Sequence, residues 1–352
     1  MPKQYGVGVI GLGHWYSAYG LARSLQEYGK AELKAVAYHD EAKAKEYGTT
    51  FGVDWYTDYD ALLARKDIHV VHICPPGAEI PGCTIKAAQA GKHIIVGKPM
   101  GLKIEQTDEM IKAVEKAGIT CVYWPGMIVL GAAGLKKRLD NGLIGDIVVM
   151  HATGRWSIGE DWYCSGKAGW FSDPKQTPGG AMVDEGLGAL GQLLWFAGST
   201  LVQVECKTAN LVHKDIGVED WAFATFTFAN GIIATLESSW TINSPQVTGP
   251  SPKPNSLMRM EIVGTRGEII EDGLRTPGTA VLAAGAPFWS FERPVAMTYS
   301  GPLMPGPLDH LITCLETGRP PVANLQEGRR GFAACLAAYE AVRKGAPVKV
   351  SL

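Results

Sequence analysis

Apolar and polar residues along the chain follow two successive patterns. Up to about residue 123, short apolar runs alternate with stretches of helical periodicity. Residues 7–10, 32–37, 70–74, 93–96 and 120–123 read as buried strands. Helices are expected from Ala18 onward and over residues 41–47, 59–65, 84–90 and 104–117, with Gly91 as a C-terminal cap. Pro75 and Pro76 stop the strand before them, because proline cannot continue a sheet ladder. This alternation predicts a doubly wound parallel sheet, whose ligands lie beyond the C-terminal strand ends. Gly11, Cys74, Lys98 and Trp124 fall at such ends.

Beyond Pro125 the pattern changes. A helix over residues 132–141 precedes alternating strands over 147–156, 201–212, 221–228, 232–240, 257–263 and 268–271. Short turns such as Ala229-Asn230-Gly231 predict a large antiparallel sheet, and helices return over 308–317 and 327–344. A Pro-rich loop over 244–255 is expected to be a lid, an interface or disordered. A helix near 180–197 carries Gly186, Gly188 and Gly191. Each costs about 1 kcal/mol relative to alanine, which points to close approach of a ligand or a neighbouring helix. The fold class is therefore α/β: a doubly wound parallel-sheet domain over residues 1–123, then an α+β domain with a large antiparallel sheet over 124–352. One face of that sheet needs cover, with Val204, Phe226 and Leu236 expected to contribute, so a homodimer or homotetramer is expected.

The chain has 352 residues, of which 46% are hydrophobic, enough for two sizeable cores. The net charge of −2 leaves no basic footprint for nucleic acid. No apolar run reaches about 18 residues, so no membrane span is expected. The short apolar start reads as the first strand and lacks the form of a signal peptide. Seven scattered cysteines without a C-x-x-C pair favour reduced thiols in the cytoplasm over disulfides or a metal site.

The start of the chain carries the sharpest chemical signal. A strand, the pair Gly11 and Gly13, and a helix follow one another, as a dinucleotide fingerprint requires. Gly11 permits a tight turn, and Gly13 lets a pyrophosphate approach the helix N-terminus beside His14 and Trp15. Tyr16 occupies the third fingerprint position, where a small residue is usual. Near the end of the second strand, Tyr38 could stack on adenine, Asp40 could reach the ribose hydroxyls and His39 could meet a 2′-phosphate; the alternative is a plain polar turn. NAD and NADP both remain open. Cys74, Pro75, Pro76 and Lys98 complete the expected cofactor contacts.

Four stretches together carry a resemblance: VGVIGLG (7–13), AGKHIIVGKPM (90–100), NGLIGDI (141–147) and GWFSDPKQTPGGAMVDEGLGALGQLLWFAG (169–198). In this order and spacing the chain resembles the glucose–fructose oxidoreductase / inositol dehydrogenase / rhizopine-catabolism (Gfo/Idh/MocA) family along essentially its whole length. The resemblance implies a Rossmann domain plus an open antiparallel sheet, dimers or tetramers, and hydride transfer between NAD(P) and a carbinol carbon of a sugar, cyclitol or related diol. The chain also departs from the family. Gly97-Lys98-Pro99 stands for the usual Glu-Lys-Pro, and Pro75-Pro76-Gly77 for a Thr-Pro-Asn turn. Asp184 is present, but Gly188 stands where the resemblance implies an acid/base histidine, and a later acidic position is Gly191.

Hydride transfer needs a proton acceptor or donor beside the carbinol oxygen. Lys98 is the first candidate, against the alternative of a solvated lysine before a turn proline. Asp184 could orient substrate or tune Lys98, against the alternative of a carboxylate favoured at a helix start. Tyr163 and His151 are further candidates, and His151 shares a strand face with Arg155. Trp156, Trp162, Tyr163 and Trp170 cluster along the chain, and flat aromatic faces suit cyclic substrates, although ordinary core packing explains them equally. Substrate contacts are expected from Lys98, Trp124, Arg155, Trp162, Tyr163, Trp170, Asp184 and Gly188. Three readings stand: an NAD(P)-dependent dehydrogenase or reductase, a redox-neutral enzyme on tightly held NAD, and a non-catalytic nucleotide sensor.

Overall fold

A computed structural model describes residues 4–124, 132–157, 159, 162, 167–241, 257–272, 279–292 and 306–352. The expected Pro-rich loop lies outside them. Two compact units emerge, one of Met1–Trp124, Lys175–Thr177 and Tyr299–Arg329, the other of Pro125–Pro174, Pro178–Thr298 and Arg330–Leu352.

The first unit is built on six parallel strands: β1 (Tyr5–Ile10), β2 (Ala31–Ala37), β3 (Asp54–Tyr56), β4 (Val70–Ile73), β5 (His93–Val96) and β6 (Cys121–Tyr123). Their order is β3-β2-β1-β4-β5-β6, so the winding reverses between β1 and β4. β1 and β4 are buried along their whole length, which explains their apolar composition. Helices α1 (Trp15–Tyr28), α2 (Glu41–Phe51), α3 (Tyr59–Leu63), α4 (Ile80–Gln89) and α5 (Ile104–Ala117) connect the strands. α1 begins three residues before the expected Ala18. α4 begins four residues before the expected start, with Pro81 in its first turn, where no helical N–H is required. β3 escapes the hydrophobic pattern because it is a short edge strand, mostly exposed.

Residues from the far end of the chain also belong to this unit, which an expected boundary at 123/124 does not foresee. In the helix α8 (Gly306–Thr317), Leu308, Leu311 and Ile312 are fully buried. Asp309 accepts a hydrogen bond from Tyr28 at 2.6 Å, and the Ala323 carbonyl receives the Tyr123 amide at 2.9 Å.

The second unit holds a nine-stranded sheet of β7 (Ile147–Arg155), β8 (Leu201–Ala209), β9 (Trp221–Phe228), β10 (Ile233–Ser239), β11 (Leu257–Gly264), β12 (Glu268–Asp272), β13 (Thr279–Leu282), β14 (Ser290–Glu292) and β15 (Val348–Lys349). Its helices are α6 (Ala132–Asp140), α7 (Leu187–Ala197) and much of α9 (Leu325–Lys344). The sheet is mixed rather than wholly antiparallel, because β7 and β10 pair in parallel. Hairpins dictate antiparallel pairing only between consecutive strands, and the chain crosses from β7 through α7 to β8 before the antiparallel run β8-β9-β10 brings β10 beside β7. The face assignment also needs correction. Val204, Phe226 and Leu236 are buried at 0%, 0% and 1% exposure, on the face covered by helix. The alternate residues, including Phe223 at 39% and Ile233 at 46%, form the open face. Among the described residues, no helix is long and apolar enough to cross a membrane.

One core residue makes the first unit acid-sensitive. His72 of β4 is buried, with Ser17 Oγ 3.0 Å from its Nε2, and burial pushes its pKa down from 6.5 to about 3. A folded pKa below the unfolded one gives stability that is complete above the unfolded value and lost as pH falls toward the folded value. Between about pH 7 and about pH 5, wild type should lose about 2 kcal/mol more unfolding free energy than His72→Gln. Urea denaturation at the two pH values checks this, and parallel losses in both proteins would refute it.

Candidate active site

The loops after β1 and β4 lie directly against one another. Gly11 has φ +80°, in the left-handed region, and a Cβ there would fall 2.4 Å from the Pro75 nitrogen. A Cβ on Gly13 would fall 2.6 Å from the Pro76 nitrogen. Backbone hydrogen bonds close the junction, from Cys74 N to Ile10 O at 2.7 Å and from His14 N to Cys74 O at 2.9 Å. The room left by the missing Gly13 side chain is thus taken up by Pro76. α1 still fits an anion. Its N-cap, His14, makes no side-chain capping bond, and its first turn carries no acidic residue. Trp15 is buried, while Tyr16 packs its ring 6.0 Å from that of Trp124.

At the end of β2, Tyr38 is 7% exposed and forms a wall rather than an open stacking face. Burial and the carboxylates of Glu79 and Asp40 push its phenol up to about 12. His39 is exposed beside it, with ring centroids 4.3 Å apart. Asp40 caps α2, its carboxylate accepting from Lys43 N at 3.2 Å. The polar-turn reading of Asp40 therefore holds locally.

At the end of β5, Lys98 is 8% exposed and not a solvated lysine. His14 Nε2 donates to its carbonyl oxygen, and the Lys98–Pro99 bond is cis. Gly97 is a glycine without steric need, since its Cβ would have no neighbour nearer than 3.7 Å. Gly77 is the opposite case, with a Cβ falling 2.6 Å from Gln176 O and 2.8 Å from Pro99 Cγ. The structure therefore brings together Gly11, Gly13, His14, Cys74, Pro75, Pro76 and Lys98. Trp124 joins them through its amide, bonded to Val96 O at 2.7 Å.

In the second unit, Asp184 sits in a π-helical turn, Met182–Gly186, directly before α7. It is 2% exposed, and its Oδ2 accepts from Trp240 Nε1 at 3.1 Å. Asp184 is not the carboxylate that caps this helical segment. Glu219 has that place, accepting from Gly180 N at 2.9 Å, Met182 N at 3.0 Å and Tyr339 OH at 2.7 Å. Burial raises the Glu219 pKa, and these hydrogen bonds oppose the rise. The sequence reading missed Glu219 and Trp240; the signal available was the acidic pair Glu219-Asp220 interrupting an otherwise apolar strand start. Asp220 in turn accepts from the amides of Leu211, Val212 and His213 at 2.7, 2.7 and 2.6 Å.

Several expected site residues lie elsewhere. His151 and Arg155 project from the face of β7 opposite the π-turn, because side chains alternate along a strand. Gly154, on the alternate face, lies against Glu185, whereas His151 bonds Thr235 Oγ1 at 2.8 Å and Arg155 pairs with Glu237. They are not brought together with Asp184, and their roles as acid/base and substrate contact are withdrawn. Trp162 is a buried packing residue, its ring 5.6 Å from Trp240 and 4.9 Å from His213. Trp170, half-buried, stacks on Phe171. Tyr163 lies outside the described residues. Close packing accounts for one of the helix glycines: a Cβ on Gly186 would be 3.3 Å from Leu236 Cδ2, whereas a Cβ on Gly191 would have no neighbour within 4 Å. Gly188 is half-buried in the first turn of α7.

Two sequence profiles match the chain. That of the oxidoreductase family with NAD-binding Rossmann fold covers residues 5–124, and that of the GFO/IDH/MocA C-terminal domain covers residues 133–270. The chain belongs to the Gfo/Idh/MocA family. Among its relatives, scyllo-inositol 2-dehydrogenase (NAD(+)) of Bacillus subtilis (strain 168) is 24% identical over 100% of this chain and 98% of its own. The 2,7-anhydro-N-acetylneuraminate hydratase of Escherichia coli (strain K12) is 26% identical over 77% of this chain and 68% of its own. Levoglucosan dehydrogenase, solved in complex with NADH, shares the fold with a TM-score of 0.83 at 21% identity, covering 99% of both chains.

A Gfo/Idh/MocA oxidoreductase uses NAD(P), and the residues present fit that cofactor. The glycine turn leads into a helix N-terminus free of acidic side chains, which suits the pyrophosphate, and Asp40 supplies an acceptor at the end of β2 for ribose hydroxyls. Gly13→Ala should lower the unfolding free energy by about 1–3 kcal/mol through its clash with Pro76. Gly97→Ala, with open space for its methyl, should change it by about 0.5 kcal/mol or less. Urea denaturation of both variants checks the contrast; equal effects would contradict the packing described.

Proposed function

We propose that Lys98 is the general acid/base of an NAD(P)-dependent dehydrogenase acting on the CH–OH group of a sugar, cyclitol or related cyclic diol. The observation that carries this is the burial of Lys98 at the C-terminal end of β5, its carbonyl held by the residue that opens α1. NAD(P) held at the turn from Gly11 to His14 would supply the hydride acceptor for the carbinol carbon. The Lys98 amine takes the proton from the carbinol oxygen, so that alcohol becomes ketone with release of one proton. His14 fixes the peptide from which Lys98 projects, and Trp124 offers a flat apolar face of the kind that suits a cyclic substrate. In the second unit, Asp184 is the proposed substrate-orienting carboxylate, held by Trp240. Gly188 supplies no titratable group, which leaves Tyr163 as the remaining acid/base candidate should Lys98 fail.

Similarity to a hydratase, together with the missing histidine at Gly188, favours one second reading: a redox-neutral reaction in which NAD is reduced and reoxidised within one turnover. Net accumulation of NAD(P)H with substrate in excess supports the dehydrogenase, and its absence alongside product formation supports the redox-neutral enzyme. Among the described residues Cys83, Cys121, Cys206, Cys314 and Cys335 are free thiols, which suits a reducing cytoplasm.

Lys98→Met should lower single-turnover rates by about 10³-fold while leaving the dissociation constant for NADH within about threefold. Stopped-flow absorbance and calorimetry measure the two quantities. A variant retaining rates within about tenfold of wild type would remove Lys98 from the role.

We also propose a homodimer or homotetramer in which a second copy covers the open sheet face, where Phe223, Ile233 and the Trp221–Phe223 stack lie. Light scattering should report at least a dimer mass at micromolar concentration, and Phe223→Glu with Ile233→Glu should shift it toward monomer. A monomer in the wild type would sink the proposal.

A further inference from the structure

Family membership leaves open which dinucleotide is bound. In a doubly wound sheet the adenosine ribose lies at the C-terminal end of β2, so residues 38–40 and the groups facing them read its 2′ position. Asp40 is one such group, its carboxylate fixed by the Lys43 amide at 3.2 Å and lying 3.7 Å from the Lys43 ammonium. The second comes from another strand. Glu79 immediately precedes α4, on the loop after β4, and accepts a hydrogen bond from Tyr59 OH at 3.2 Å. The same Tyr59 hydroxyl lies 3.5 Å from His39 Nδ1, and the His39 ring packs against Tyr38. Tyr59 thereby ties the β4 loop to the end of β2 and holds Glu79 on the same side as Asp40. The Tyr38 phenol registers both carboxylates, which together with burial raise its pKa.

A 2′-phosphate brings a charge near −2 and is met in NADP-binding sheets by an arginine. Residues 38–43 read Tyr-His-Asp-Glu-Ala-Lys, in which Lys43 is the sole full cation and is already beside Asp40. The imidazole of His39, the other basic group there, sits against the Tyr59 hydroxyl. We propose that Glu79, held by Tyr59, acts with Asp40 as a specificity-determining pair that accepts the ribose diol of NAD and excludes the 2′-phosphate of NADP. The proposal rests on the dinucleotide assignment of the first unit.

Calorimetric titration of the purified full-length protein with NADH and NADPH, without substrate, tests it. NADPH should bind about 100-fold more weakly than NADH, as expected when like charges are juxtaposed. Glu79→Gln keeps the acceptor for Tyr59 but removes the charge. It should strengthen NADPH binding about tenfold while NADH changes by about threefold or less. Asp40→Asn should act in the same direction. Tyr59→Phe frees Glu79 with every charge retained and should reduce the discrimination, with circular dichroism confirming that each variant is folded. Wild type binding NADPH as tightly as NADH would overturn the proposal. An unchanged NADPH/NADH ratio in folded Glu79→Gln would also overturn it, because Glu79 would have no part in the selection. Failure of both dinucleotides to bind would instead overturn the assignment on which it rests, and the proposal with it.

Discussion

Everything chemical in the first unit depends on two loop backbones approaching within a distance that leaves no room for a methyl group. Gly11 and Gly13 face Pro75 and Pro76 at that distance, and hydrogen bonds from Cys74 to Ile10 and from His14 to Cys74 hold the contact closed. The strand order reverses between β1 and β4, so this junction lies where a doubly wound sheet opens its ligand crevice. His14 extends the junction to a third strand end through the Lys98 carbonyl. A rigid backbone frame thus fixes the N-terminus of α1 and the peptide of Lys98 relative to one another.

The second unit solves a different problem with buried charge. Glu219 and Asp220 are consecutive, and each carboxylate is surrounded by donors from a separate segment. A buried carboxylate with that many hydrogen bonds is costly to leave half-satisfied, so both segments are held in one arrangement. The π-turn that carries Asp184 starts at amides capped by Glu219 and packs through Gly186 onto β10. π-helical turns often mark functional positions because they re-aim a side chain that a regular helix would place elsewhere.

The departures from the family pattern acquire distinct physical meanings. Gly77 is required, because any side chain would meet Gln176 and Pro99. Gly97 is not required, because its Cβ has clear space, and the imidazole of His14 stands at the edge of that space. A lost side chain at a tolerant position signals a change in the chemistry of the site, whereas a glycine at a crowded position signals only packing.

The sequence by itself determined the parallel sheet, the glycine turn and the place of Lys98 at a strand end. Each is written in local order: apolar runs of period-free strand type, a glycine pair between strand and helix, and a proline that ends the run. It also determined most element boundaries, since β5, α5 and β9 fall at the residues that periodicity assigns. Tertiary structure alone decided which face each strand buries. Alternation tells that His151 and Arg155 share a face and that Phe226 and Phe223 do not, but both faces of these strands carry large side chains, so only the helices packed on one of them settle the choice. It alone decided that β7 and β10 run parallel, that α8 returns to the first unit, and that Glu79 reaches the end of β2 through Tyr59. These are contacts between residues far apart in sequence, and no local pattern of hydrophobicity or turn chemistry encodes them.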